Sequence, residues 1–294
     1  MSIVITGANG EFGRGVLDAV AALAPGEDLV AAVRDVGRAA DLRERGLEVR
    51  PGSFDDPQAL AGAFAGARAV LVNATFFGVA SELRGRRVAA AIRAAADAGA
   101  GRVIVTTWPD LDHAALPAVR DYAQSERLVR EAGPAWTILR LGYGLADAGA
   151  RDVIWARRDG QLLAPAAAAR CAPAAVPDLV DATARAITGA GHEGRCYELT
   201  GPRAIGWDDL AALAASLDGR DIRYRPAGEE EYRAYLAARG LGGPVIDGLL
   251  GLYAEFRSGW AATPAPDLAR LLGRDPVDSL DAVRQRVPRV SGLL

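Results

Sequence analysis

Residues 1–14 read MSIVITGANGEFGR, and the interpretation of this stretch decides the fold. Ile3, Val4 and Ile5 form an uncharged β-branched run closed by Thr6 and Gly7, which predicts a buried strand. Gly7-x-x-Gly10-x-x-Gly13 follows, and then Val16, Leu17, Val20 and Leu23 recur at helical spacing. Strand, glycine turn and helix in that order give each glycine a separate task. Gly7 permits the tight exit from the strand, Gly10 lets a pyrophosphate approach the backbone, and Gly13 lets the helix lie close to the sheet. The N–H groups that open the helix then face the phosphates. A glycine triplet alone is a weak signal; its place between a strand and a helix is what points to a dinucleotide.

Outward from this unit the rhythm repeats. A second strand over 28–34 ends in Val33-Arg34-Asp35, a helix with Ala39 and Leu42 stops at Gly46, and a third strand covers 47–51. Asp55-Asp56-Pro57 caps a helix over 58–64. Strands at 67–73, 102–107 and 136–141 alternate with helices at 84–98 and 116–132. This alternation implies right-handed βαβ crossovers and an α/β architecture, a doubly wound parallel sheet of the Rossmann type. After Leu141 the rhythm breaks, and residues 142–169 read as loop. A helix capped by Asp178 returns to the sheet, strands fall at 196–199 and 222–225, and the remainder is helical. The expected organisation is an NAD(P)-binding domain over 1–142 with a returning segment over 171–192, and a smaller, mostly helical substrate-side domain over 143–294.

At 294 residues the chain is near the size where one core stops growing, which suits a large domain with a smaller appendage. Its basic residues are all arginine, and a net charge of −3 offers no electrostatic reason to expect nucleic acid. Cys171 and Cys196 could pair, but the stronger expectation is two small buried thiols in a reducing compartment. No apolar run approaches the length of a membrane span, and Met1-Ser2 lead straight into the first strand, so the expectation is a cytoplasmic protein with no membrane partner, as a monomer or homodimer. The two histidines, His113 and His192, lie far from any metal-type spacing, so no metal is expected. No Gly-x-Ser-x-Gly elbow is present.

Candidate site residues follow from where strands end. Arg34 closes the second strand, where an acidic residue would hold the ribose of NAD and an arginine favours the 2′-phosphate of NADP, so NADP(H) is preferred with NAD(H) possible. Asn73-Ala74-Thr75 and Thr106-Thr107-Trp108 end the fourth and fifth strands and border the crevice, although a threonine there also commonly bonds its own backbone. Tyr122 and Glu126 share a helix face. A carboxylate beside a phenol raises its pKa, so Tyr122 could donate a proton or hydrogen bond but would be a poor base. Packing in the core beside Ser125 and Val129 is the equal alternative for Tyr122. Phe76, Phe77, Trp108, Tyr122, Tyr143 and Trp155 could build a flat apolar pocket, and any of them could equally be core.

The stretches ITGANGEFGR, AAVRDVGRAADLRERGLEVRPGSFDDPQAL, SERLVREAGPAWTILR, GHEGRCYELTG and DLARLLGR run through nearly the whole chain. In them it resembles the NmrA-like branch of the atypical short-chain dehydrogenases/reductases, and within it the bacterial type 2 NAD(P)H:quinone oxidoreductases and the triphenylmethane reductases. The resemblance implies NADPH binding and hydride transfer to a quinone or another flat aromatic acceptor. It carries cofactor contact over to Gly7, Asn9, Gly10, Glu11, Phe12, Arg34, Asn73, Ala74, Thr75 and Thr107, with Gly13 as the third glycine. Tyr143 falls where the family's substrate pocket begins, and Tyr122 and Thr107 are the candidates for catalysis. Glu11 stands where these reductases usually have glutamine, and Ser53 where they have aspartate. Tyr122 stands for a histidine, and Leu141-Gly142 for Asn-Gly or Asn-Ala. Two other readings stay open: a non-catalytic NAD(P)-sensing regulator, and a redox-neutral isomerase or lyase that uses Tyr122 or Glu126 as acid or base.

Overall fold

The computed structural model describes residues 1–74, 80–116 and 119–290. The chain forms two compact units: residues 1–111, 117–141 and 176–198 make the first, and residues 112–116, 142–175 and 199–294 the second. In chain order the elements are β1 (Ser2–Thr6), α1 (Glu11–Leu23), β2 (Leu29–Val33), α2 (Ala40–Glu44), β3 (Glu48–Pro51), α3 (Pro57–Phe64), β4 (Ala67–Val72) and α4 (Ser81–Asp97). Then come β5 (Arg102–Thr107), α5 (Arg120–Glu131), β6 (Ala135–Leu141), α6 (Leu145–Asp159), β7 (Leu162–Ala164), β8 (Arg170–Cys171), α7 (Val176–Thr188) and β9 (Arg195–Leu199). The chain continues through β10 (Ile205–Gly206), α8 (Trp207–Asp218), β11 (Tyr224–Pro226), α9 (Glu229–Ala237), α10 (Gly243–Arg257), α11 (Asp267–Leu272) and α12 (Ser279–Val290).

The first unit is built on one seven-stranded sheet in the order β3-β2-β1-β4-β5-β6-β9. Its neighbours from β3 through β6 pair in parallel. The strands are apolar because helices cover both faces, and Ile3, Val4, Ile5, Val30, Val70, Leu71, Val103 and Ile104 are fully buried. On one face α7 packs on α1, where a Cβ at Gly15 would stand 3.1 Å from the Val180 side chain. Asp56 caps α3, its carboxylate accepting from the N–H groups of Gln58 (3.0 Å) and Ala59 (3.1 Å). The order in which successive strands are added to the sheet reverses between β1 and β4. Ligands of such sheets bind beyond the carboxyl ends of the strands at that switch point.

The second unit holds the main departure from the sequence reading. Residues 145–159, expected as loop, form the fifteen-residue helix α6. Left-handed glycines bound it, Gly144 at φ +95° and Gly160 at φ +76°. Its buried positions, Leu145, Ala146, Gly149, Ala150, Asp152, Val153, Trp155 and Ala156, recur at helical spacing. Small residues carry much of that buried face and charges interrupt it, so its apolar signal is faint. Gly149 lets α12 approach, since a Cβ there would lie 3.0 Å from Val283. Two small sheets, β10 with β8 and β11 with β7, join the helices of this unit. A buried polar cluster knits it together. Asp152 accepts from Tyr253 Oη (2.6 Å), Trp207 Nε1 (2.8 Å) and Arg151 Nη2 (2.8 Å).

Cys171 is buried as expected, whereas Cys196 is exposed at the sheet edge, and both are free thiols. No helix among the described residues is long and apolar enough to cross a membrane.

Candidate active site

The glycine turn between β1 and α1 is built so that side chains would obstruct it. Gly7 has φ +67°, a left-handed conformation that favours glycine. A Cβ on Gly13 would sit 2.4 Å from the Gly7 carbonyl oxygen and 2.7 Å from its carbon, so helix and turn meet backbone to backbone. Gly10, by contrast, has an ordinary φ of −87° and is exposed at the helix N-cap. Its missing side chain leaves the backbone open to an approaching group. The N–H groups of a first helical turn find no carbonyl in their own helix, and with the helix dipole they favour an anion. The turn therefore fits a dinucleotide pyrophosphate. Phe12 is 2 % exposed, so its side chain belongs to the core.

Beside this cradle lies the end of β4. A Cβ on Gly7 would stand 3.1 Å from Asn73 Nδ2, so the two strand ends that flank the switch point touch. Hydroxyls pin them in place. Thr6 Oγ1 donates to the Leu71 carbonyl (2.8 Å) and accepts from the Asn73 N–H (2.9 Å). Thr106 Oγ1 accepts from the Ala74 N–H (2.7 Å) and donates to Asn73 Oδ1 (3.3 Å). Asn9 ties the turn to the end of β2, donating from Nδ2 to the Asp35 carbonyl at 2.8 Å. Thr75, Phe76 and Phe77, expected at the cofactor and substrate sites, lie outside the described residues.

Arg34, just past β2, is exposed, as is Arg38 on the following turn, and neither side chain makes a hydrogen bond or ion pair among the described residues. The nearby carboxylates are engaged elsewhere. Asp35 Oδ1 accepts from the Gly37 N–H (2.9 Å), Asp41 pairs with Arg14, and Arg87 grips Asp55 with bonds of 2.8 and 2.6 Å. The Arg87 guanidinium holds the Asp55 carboxyl below the usual range, with a smaller pull from Arg34. The outcome is cationic capacity at the edge where a 2′-phosphate would lie. Arg38 was not singled out in the sequence reading; its spacing of four from Arg34 was the available signal.

Tyr122 is 5 % exposed and its hydroxyl donates to the Ala74 carbonyl at 3.2 Å. Its ring stacks on Trp108, with centroids 5.9 Å apart and planes at 21°, and the Arg84 guanidinium lies 4.5 Å from its centre. Arg84 is fixed by two bonds of 2.7 Å to Asp121. Burial pushes the Tyr122 phenol up to about 12, with Arg84 pulling it down and Asp121 pushing it up. The direction agrees with the sequence reading and the cause does not. Glu126 was expected beside the phenol, but its carboxylate turns to other partners. It accepts from Thr107 Oγ1 (2.9 Å), from Arg140 Nε (2.8 Å) and Nη2 (3.0 Å), and from Arg130 (3.3 Å). Thr107, with its proton given to Glu126, can offer a lone pair to a bound group but not that proton.

Arg140 and Glu198 also belong to this unit, and the sequence reading did not assign them a role. Arg140 Nη1 approaches Glu198 Oε2 at 3.5 Å, and Glu198 Oε1 accepts from the Asp110 N–H at 2.5 Å. Both are charges near the ends of strands, in β6 and β9, and that position was the signal. In the second unit Tyr143 is half-buried in the turn before α6. Trp155, expected in the substrate pocket, is 6 % exposed and packs edge-on against Tyr235, between Arg151 and Arg239. It shares the buried face of α6, which makes it core of that unit.

The sequence pattern of a family described as NAD(P)H-binding matches residues 7–171, more than half of the chain. The chain belongs to this NAD(P)H-binding family. Quinone oxidoreductase 2 of Escherichia coli (strain K12) is 28 % identical to it over 288 residues, covering 96 % of this chain and 97 % of the relative. The NAD(P)H azoreductase of Xenophilus azovorans is 26 % identical over 269 residues, covering 89 % of this chain and 84 % of the relative. The crystal structure of Citrobacter sp. triphenylmethane reductase complexed with NADP(H) superposes with a TM-score of 0.90 at 25 % identity, covering 97 % of this chain and 99 % of that one. The family resemblance read from the sequence is borne out, and the chain is an NAD(P)H oxidoreductase.

Proposed function

We propose that the enzyme uses NADPH to reduce a quinone or a similarly flat, conjugated aromatic acceptor. The single observation that carries the cofactor part is the glycine turn at the switch point, with Arg34 and Arg38 exposed at the end of β2. The pyrophosphate would rest on Gly10 and the first turn of α1, and the 2′-phosphate on Arg34. Asn73, Ala74 and Thr107 would line the path toward the nicotinamide.

When bound, NADPH supplies a hydride, two electrons and one proton, to the acceptor; a second proton from solvent completes a hydroquinone. The protein's part is then to bind, orient and exclude water, which supplies much of the rate for such a transfer. The Trp108–Tyr122 stack offers an aromatic surface next to the end of β4. The names of the relatives support the acceptor class, since quinones, azo compounds and triphenylmethane dyes are all conjugated electron acceptors.

The arrangement favours this reading over a redox-neutral isomerase. With Tyr122 or Glu126 as its base, an isomerase finds neither ready: the Tyr122 phenol is pushed up to about 12 and donates its hydrogen bond to the Ala74 carbonyl, and Glu126 is taken by Thr107 and Arg140. The test is NADPH oxidation, followed by nicotinamide absorbance, with a soluble benzoquinone as acceptor. Quinone-dependent consumption that saturates is the expected result. NADPH binding without consumption across quinones, azo compounds and triarylmethane dyes would overturn the proposal.

A further inference from the structure

A chain of charged and polar contacts runs along the carboxyl end of the sheet in the first unit. It starts at Thr107 at the end of β5, passes to Glu126 on α5 and to Arg140 on β6, and reaches Glu198 on β9. It closes on the backbone N–H of Asp110, in the loop that leaves β5. Both ends of the chain therefore hold the same short segment, residues 107–110. Asp110 itself has φ +49°, a left-handed conformation unusual for a residue with a side chain. Such strain persists only where the surroundings hold it, and it gathers at functional sites. Between the two anchors stands Trp108, stacked on Tyr122.

We propose that Glu198 is a positioning residue for the electron acceptor: with Arg140 it holds the Asp110 backbone and so sets the Trp108 ring against Tyr122. The acceptor part of this rests on the quinone-reductase reading; the positioning part does not. An ionised Glu198 makes charge-assisted bonds to the Asp110 N–H and Arg140, which are roughly twice as strong as neutral ones. Protonation removes the charge and slackens both.

The surroundings put that event in the physiological range. Burial pushes the Glu198 carboxyl up to about 7, with the Asp110 N–H and the Arg140 cation pulling it down and the Asp110 carboxylate adding to the rise. The charged and titratable groups around it are Arg140 on β6, Asp110 on the loop, and Cys196 on its own strand. Glu126 and Arg130 on α5 stand one step further, through Arg140. Above about pH 7 Glu198 is charged and the loop is held, and below it the loop loosens.

The test compares wild type, Glu198→Gln and Glu198→Leu, each with and without Trp108→Phe, which isolates the Trp108 contribution to the near-UV circular dichroism. In wild type that contribution should be stronger at pH 8 than at pH 6. Glu198→Gln keeps an acceptor for the Asp110 N–H but cannot ionise, so its signal should stay at the pH 6 level throughout. Glu198→Leu should weaken it at both. With benzoquinone, Glu198→Gln should raise KM at pH 8 by about fivefold, with kcat and NADPH affinity little changed. A Trp108 signal in Glu198→Gln that keeps the wild-type pH dependence would overturn the proposal, as would a KM effect with no change in that signal. If wild type does not turn over a quinone, the acceptor reading fails while the optical comparison still decides the role of Glu198.

Discussion

Glu126 makes the sharpest energetic test of the site, because its 2 % exposed carboxylate serves several partners at once. Arg140 donates to it at 2.8 and 3.0 Å, and each such charge-assisted bond contributes roughly 1.5–3 kcal/mol net. Thr107, at 2.9 Å, adds roughly 1 kcal/mol. Arg130 is 39 % exposed at 3.3 Å and adds at most a few tenths. Glu126→Ala leaves the 12 % exposed Arg140 with Glu198 at 3.5 Å as its remaining carboxylate among these contacts. One-sided removal of a buried pair costs about 3–5 kcal/mol, and the residual contact with Glu198 puts the expected loss near the lower end, about 3 kcal/mol. Glu126→Gln keeps one acceptor oxygen and should lose about 2 kcal/mol. Urea unfolding of wild type, Glu126→Gln, Arg140→Gln and the double variant gives the coupling directly. We expect about 2 kcal/mol of coupling, since one change already removes what the other would lose. Additive losses, with coupling below about 0.5 kcal/mol, would refute the reasoning and mean that the pair contributes nothing beyond separate burial.

Arg34→Ala should weaken NADPH by about 1.5–3 kcal/mol and leave NADH nearly unchanged in calorimetric titration, because a fork onto a 2′-phosphate is lost and no ion pair among the described residues is. Equal losses for both cofactors would remove the argument. Tyr122→Phe deletes one hydrogen bond to the Ala74 carbonyl and should slow steady-state turnover tenfold or less, about 1.4 kcal/mol. A loss of about 10²–10⁴ would instead mark Tyr122 as a general acid. Glu11→Gln removes a carboxylate from the first turn of α1, where anions gather, and should tighten NADPH most clearly at low salt. Identical affinities across ionic strengths would mean that Glu11 points away from the phosphates.

Much of the first unit was legible in sequence because its signals are local. A β-branched run, a glycine triplet and an apolar helical stripe lie within residues 1–23, and each glycine's task follows from backbone geometry alone. β5 was read to the residue, and the cap of α3 was read from Asp55-Asp56-Pro57, of which Asp56 makes the capping bonds. Helix α6 was missed for a physical reason. Half of its buried face is alanine and glycine, so its periodicity shows only once α12 is packed on it and Gly149 meets Val283. The partners of charged side chains were also beyond the sequence. Tyr122 and Glu126 do share one helix, but Glu126 takes Thr107 and Arg140 from neighbouring strands while Tyr122 takes Ala74 and Trp108. Sequence by itself determined the strand–turn–helix that cradles a dinucleotide, since backbone conformation is written in nearest neighbours. Tertiary structure alone decided which carboxylate serves which cation, because strands far apart in the chain end side by side only after the sheet has formed.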